Sequence, residues 1–121
     1  MTYIEKPTVI KHEIASSLST RFRESLSSLG LSRDMHIFDL DFSHLPSYYD
    51  KDALEFIGHI QTFYLTLDPL DRMVFMNEYL EYGRHNAIWW MRYFTAKDYT
   101  AEMQLMNNLV KKNLGGKLYG D

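Results

Sequence analysis

Cysteine is absent from the chain, which excludes disulfides and thiolate metal sites and fits a reducing compartment. No window comes near the roughly 18 consecutive apolar residues that a membrane-spanning helix needs. The opening MTYIEKPTVIKHEIASS carries charges at Glu5, Lys6, Lys11 and Glu13 with no apolar run behind them, so it does not read as a secretory signal. Also missing are a G-x-S-x-G elbow, a phosphate loop, a dinucleotide fingerprint and a His-Glu-x-x-His pair. Neither internal repeats nor low-complexity segments occur. These absences lead to the expectation of a soluble, cytoplasmic protein that is not an enzyme and carries no cofactor.

What is present is the material for one core. The 121 residues suffice for a single domain, and 45% of them are apolar and 15% aromatic. Nine tyrosines and seven methionines supply large, adaptable groups. The net charge of −3 argues mildly against nucleic acid as a partner, yet it is unevenly spread. Residues 1–33 sum to +2, residues 34–82 to −8 and residues 83–121 to +3. An acidic middle lies between two mildly basic ends.

Hydrophobic spacing predicts an all-α domain of about five helices. Within residues 8–29, Ile14, Leu18, Phe22, Leu26 and Leu29 step by four or three along one helix face, and Gly30 is the natural stop. Residues 34–50 lack a helical period, contain Pro46, and read as an irregular connector that packs its aromatics on the core. Asp50 or Asp52 caps a second helix with the stripe Leu54, Ile57, Ile60, Phe63 (or Tyr64) and Leu67. Gly58 inside it would allow close approach of another helix. Asp68 followed by Pro69 is a strong start signal, a carboxylate cap before a proline at the first helical position. Leu70, Met73, Val74 and Leu80 are the expected inner face, closed by Gly83. The run NAIWWMRYF is long enough for two helical turns. Thr95 then caps a last helix to about Lys112, with Tyr99, Met103, Met106 and Val110 inward and Leu105 and Leu109 widening the stripe. The tail from residue 113 to 121 reads as loose.

The segment from Leu67 onward resembles the C-terminal DNA-binding region of sigma factors and the small phage late-gene regulators of the ArpU type. Leu67, Arg72, Val74, Phe75, Tyr79, Leu80 and Gly83 occupy the places of that family's opening pattern. Ile88 stands five residues past the glycine and Thr95 twelve past it, where the family has an isoleucine and the serine that caps its recognition helix. The similarity spans residues 67–112. It divides the single domain, residues 1–121, into N-terminal helices and connector (1–66), a helix-turn-helix-like part (67–112) and the tail. The chain departs from the family at Trp89, where a small residue lets two helices cross closely, and at Arg92 and Tyr93, where a leucine and a glycine stand. A tryptophan at that crossing would hold the helices apart or shift the register by a residue.

The resemblance implies a DNA-binding transcription regulator that works with a protein partner, such as RNA polymerase. On that reading the outward face of the last helix begins at Ala96, Lys97, Thr100, Ala101 and Gln104, with Asn108 further along. Lys97 and Gln104 suit phosphate and base-edge contacts. Arg84, Arg92 and Lys111 would contact the backbone, and Thr95 would aim the helix N-terminus at a phosphate. Asp98 and Glu102 oppose this by repelling phosphates. The acidic residues 34–82 could face the protein partner.

The alternative is a helical protein-interaction module without DNA binding. Adjacent tryptophans on a helix point about 100° apart, so one can enter the core while the other stays at a boundary. Trp90 and Tyr93 are the candidate partner contacts, because exposed aromatics are favoured hot spots. Tyr48, Tyr49 and Tyr99 could extend that surface. His36, Asp39, Asp41 and His44 are metal-competent residue types, but their spacing matches no recognised ligand pattern. His12, His59 and His85 read as ordinary surface or helix-margin residues. The oligomeric state is left open by the sequence.

Overall fold

The computed structural model describes residues 12–41, 50–84 and 88–118. Among them there are four α-helices and no strand: α1 (His12–Ser28), α2 (Lys51–Thr66), α3 (Pro69–Phe75) and α4 (Ala96–Leu118). A π-helical turn, Met76–Leu80, continues α3, and 3-10 turns occupy Ile37–Asp39 and Trp89–Arg92. The fold is all-α, with one helix fewer than the spacing predicted. No helix among the described residues is long and apolar enough to cross a membrane.

The first helix packs as its period dictates. Ile14, Leu18, Phe22 and Leu26 are buried, and Leu29 joins them just past the end. Gly30 has φ +77°, the left-handed region that a side chain disfavours. The Leu31 amide then reaches back to the Leu26 carbonyl at 2.9 Å and the Gly30 amide to the Ser27 carbonyl at 3.0 Å. That pair of bonds satisfies carbonyls that the helix end would otherwise leave orphaned. In the connector, Ile37 and Leu40 are buried, whereas Phe38 stays outside and stacks on His36. Phe42, His44, Pro46, Tyr48 and Tyr49 lie outside the described residues.

Asp50, rather than Asp52, caps α2: its carboxylate accepts from the Ala53 amide at 3.0 Å. Phe56, Ile57, Ile60, Phe63 and Leu67 face the core, with Leu54 and Tyr64 at its margin. A β-carbon on Gly58 would meet nothing within 4 Å, so that glycine does not mark a close helix approach. Asp68 caps α3 by accepting from the Asp71 amide at 2.9 Å, with Pro69 in the first turn as its fixed φ favours. The Arg72 guanidinium donates to the Tyr64 and Leu65 carbonyls and lies over the Tyr64 ring, fixing the corner between α2 and α3.

The π turn changes which residues of this segment face inward. The Glu81 amide donates to the Met76 carbonyl, five residues back, at 2.8 Å. The wider turn rotates the chain after Phe75, so Val74 and Phe75 are followed inward by Glu78, Tyr79 and Leu80. Leu70, expected on the inner face, is left exposed in the first turn, and Met73 is half-buried. Gly83, with φ +80°, ends the segment as predicted. The Ser19 hydroxyl donates to the Leu80 carbonyl at 3.0 Å and ties α1 to this turn.

The last helix is longer than expected. It runs through Leu118 because Leu114 is buried beyond Val110 and extends the packed stripe by another turn. Residues 113–118, expected to be loose, are therefore helical, and residues 119–121 lie outside the described part. Tyr99, Met103, Met106 and Val110 are fully buried, while Leu105 is exposed and Leu109 only half-buried. Helix α4 packs against α1, α2 and α3, which leaves its remaining side uncovered.

Candidate nucleic-acid interface

The approach to α4 is built around Tyr99. Residues 89–92 form a single 3-10 turn where two helical turns were expected, and 85–87, including His85, lie outside the described residues. Trp90 stacks on Tyr99 with ring centroids 4.7 Å apart and planes 5° from parallel. Trp89 meets the same ring edge-on at 5.9 Å. Both tryptophans therefore contact one tyrosine ring, on its face and on its edge.

A buried carboxylate holds this arrangement to the preceding segment. Glu78, 1% exposed, accepts from Trp89 Nε1 at 2.8 Å and from the Tyr99 hydroxyl. Burial, and next the Glu78 charge, push the Tyr99 phenol well above its ordinary range, so it keeps its proton and donates. Beside it the Tyr79 hydroxyl donates to Asn107 Oδ1 at 3.2 Å. Trp89 is half-buried and lies in the 3-10 turn, not on a helix crossing α4. Its indole N–H ties that turn to Glu78 of the preceding segment, and its ring packs on Tyr99 of α4. Nothing in the sequence singled out Glu78, which reads there as one acid among many.

The expected site residues separate into groups. Thr95 caps α4: the Asp98 amide donates to its hydroxyl at 3.1 Å. Lys97, Gln104 and Lys111 are exposed, and with Ala101 and Asn108 they form one line in steps of four and three. Ala96, expected to face outward, instead packs against the core, and Thr100 is half-buried with its hydroxyl donating to the Ala96 carbonyl at 2.8 Å. Arg84 stands apart from this line in an ion pair with Asp34 at 3.2 Å. Trp90, expected as a partner contact, is 2% exposed and stacked on Tyr99, so it is a core anchor. Tyr93 and Arg92 are exposed.

The two acids on α4 are disposed differently from each other. Asp98 is exposed in the first turn. Glu102 turns toward the start of α3, where burial, a proton shared with the Asp71 carboxyl, and the charges of Asp71 and Asp68 push its carboxyl up to about 7. Glu102 Oε2 is itself buried, which disfavours the charged form. The uncovered line itself carries no carboxylate.

An open groove of about 570 Å³ adjoins the site, lined by Met73 of α3, Asn77 of the π turn, and Ile88, Trp89, Met91, Arg92 and Tyr93. Ile88, Met91 and Tyr93 are large apolar side chains that remain about half exposed there or more, at 61%, 49% and 48%. Among the described residues no three metal-competent side chains converge; His36 lies 3.2 Å from Glu81, and His59 lies 3.5 Å from Glu55. Comparison with known proteins finds no matching family model, no matching curated protein and no matching solved structure.

Proposed function

We propose that the protein is a small DNA-binding transcription regulator that presents α4 to a duplex and acts with a protein partner. One observation carries this reading. The line Lys97, Ala101, Gln104, Asn108 and Lys111 is exposed along its whole length, while Tyr99, Met103, Met106 and Val110 anchor the opposite side. From Lys97 to Lys111 it extends about 21 Å at 1.5 Å per residue. Its ends are cationic, its middle is small or amide-bearing, and Glu102 is directed away from it. A helix of about 10–12 Å diameter fits a major groove about 12 Å wide. The groove beside Tyr93 supports the partner, because exposed apolar groups around a concavity are what a docking segment covers.

The test is binding of a labelled mixed-sequence duplex, followed by fluorescence anisotropy. Lys97→Ala combined with Gln104→Ala is expected to weaken binding roughly tenfold or more, with the helical circular dichroism unchanged. Wild-type protein that binds no duplex in a salt-sensitive way would overturn DNA binding. The interaction-module reading would then stand alone, and Tyr93→Ala in the groove would be the variant that releases its partner.

A further inference from the structure

We infer that Ala101, Gln104 and Asn108 read a short run of A·T base pairs through the major groove, with Lys97 and Lys111 as the phosphate contacts at either end. The inference rests on the DNA-binding reading and adds what that surface recognises. Helix α4 carries four amide side chains, Gln104, Asn107, Asn108 and Asn113. Two of them are already engaged: buried Asn107 accepts from Tyr79, and exposed Asn113 donates to the Leu109 carbonyl of its own helix at 2.8 Å. Gln104 and Asn108 are exposed and have no hydrogen-bond partner among the described residues. They stand four residues apart on the uncovered line, so their amides project side by side.

The chemistry of these groups selects adenine. A carboxamide offers a donor and an acceptor together, which matches adenine N7 and N6–H₂ in a bidentate pair. Guanine presents two acceptors there and suits Arg or Lys, and no Arg or Lys occupies the middle of the line. Ala101, one turn before Gln104, adds a methyl group of the kind that packs on a thymine methyl. Residues 101 to 108 span about 10 Å of helix, which corresponds to roughly three base pairs at 3.4 Å each. The lysines fall one turn outside that span at each end. This places charge at the strands and readout between them.

Selection from a pool of randomised duplexes tests the inference, with wild type, Gln104→Ala and Asn108→Ala compared in parallel. Wild type is expected to enrich a run of about three A·T pairs. Each amide variant is expected to lose roughly tenfold of the preference at one pair, and the slope of its affinity against salt is expected to match the wild type because no phosphate contact is removed. Replacing adenine by 7-deazaadenine, which lacks the N7 acceptor, should abolish the preference, and replacing thymine by uracil should weaken it. Salt-sensitive binding without A·T enrichment, or enrichment that survives both the amide variants and 7-deazaadenine, overturns this inference and leaves DNA binding intact. Failure of wild type to bind any duplex removes the proposed function, and this inference with it.

Discussion

Glu78 makes the stability of the region around α4 depend on a single carboxylate. A buried carboxylate without hydrogen-bond donors would be costly, and here the Trp89 indole and the Tyr99 hydroxyl both donate to it. Removing one donor while keeping the ring isolates the contribution of that bond. Trp89→Phe is expected to lower stability by about 1–3 kcal/mol, read from the urea midpoint, because the carboxylate stays buried and loses a partner. A change of only a few tenths would show that Trp89 acts through its ring alone. The sequence marks Trp89 as a misfit and gives no sign of Glu78, since pairing across eleven positions depends on how the intervening chain turns.

The contact between α3 and α4 is sensitive to pH through Glu102. Its carboxyl is pushed from an ordinary 4.5 up to about 7, chiefly by burial and then by Asp71. Between those values the folded chain holds a proton that the unfolded chain has released, so stability from this site falls as pH rises. The loss is complete above about 7. Glu102→Gln keeps a donor for Asp71 and removes the charge, and it is expected to flatten that part of the stability profile. At pH 8 the variant should be more stable by on the order of 1 kcal/mol, a figure kept small by partial solvation of the site. Parallel pH profiles for the two proteins would rule this coupling out. At this scale the sequence is legible wherever local chemistry decides. Asp68 with Pro69, Thr95 and the glycines at 30 and 83 bound their elements as their residue types require. It is illegible where tertiary contact decides. Leu70 stays exposed in the first turn of α3, five-residue spacing at the π turn buries Glu78, Leu114 prolongs α4 through two glycines, and the tryptophan segment settles into one 3-10 turn around Tyr99.

For the whole molecule, the charge distribution restricts how a duplex can approach. Residues 34–82 sum to −8, and the uncovered line of α4 is instead bounded by Lys97, Lys111 and the neighbouring Lys112. Arg92 adds a fourth exposed cation just before the helix, whereas Arg84 is engaged by Asp34. On the proposed reading, neutralising three to four phosphates gives a slope of log K against log salt between about −2.7 and −3.6, shallow beside a protein that neutralises many more. On that same DNA-binding reading, modest affinity of this kind fits a regulator held in place by a partner, and the groove at Ile88, Met91 and Tyr93 lies in the segment just before α4. Lys97→Ala with Lys111→Ala is expected to reduce the magnitude of the slope by roughly 1.8, about 0.9 for each phosphate no longer neutralised. Arg84→Ala should leave it unchanged, because that guanidinium already has a carboxylate. Binding titrations over a range of salt concentrations measure all three slopes. A slope that survives loss of both lysines, or falls as far with Arg84→Ala, would place the duplex on another face of the protein.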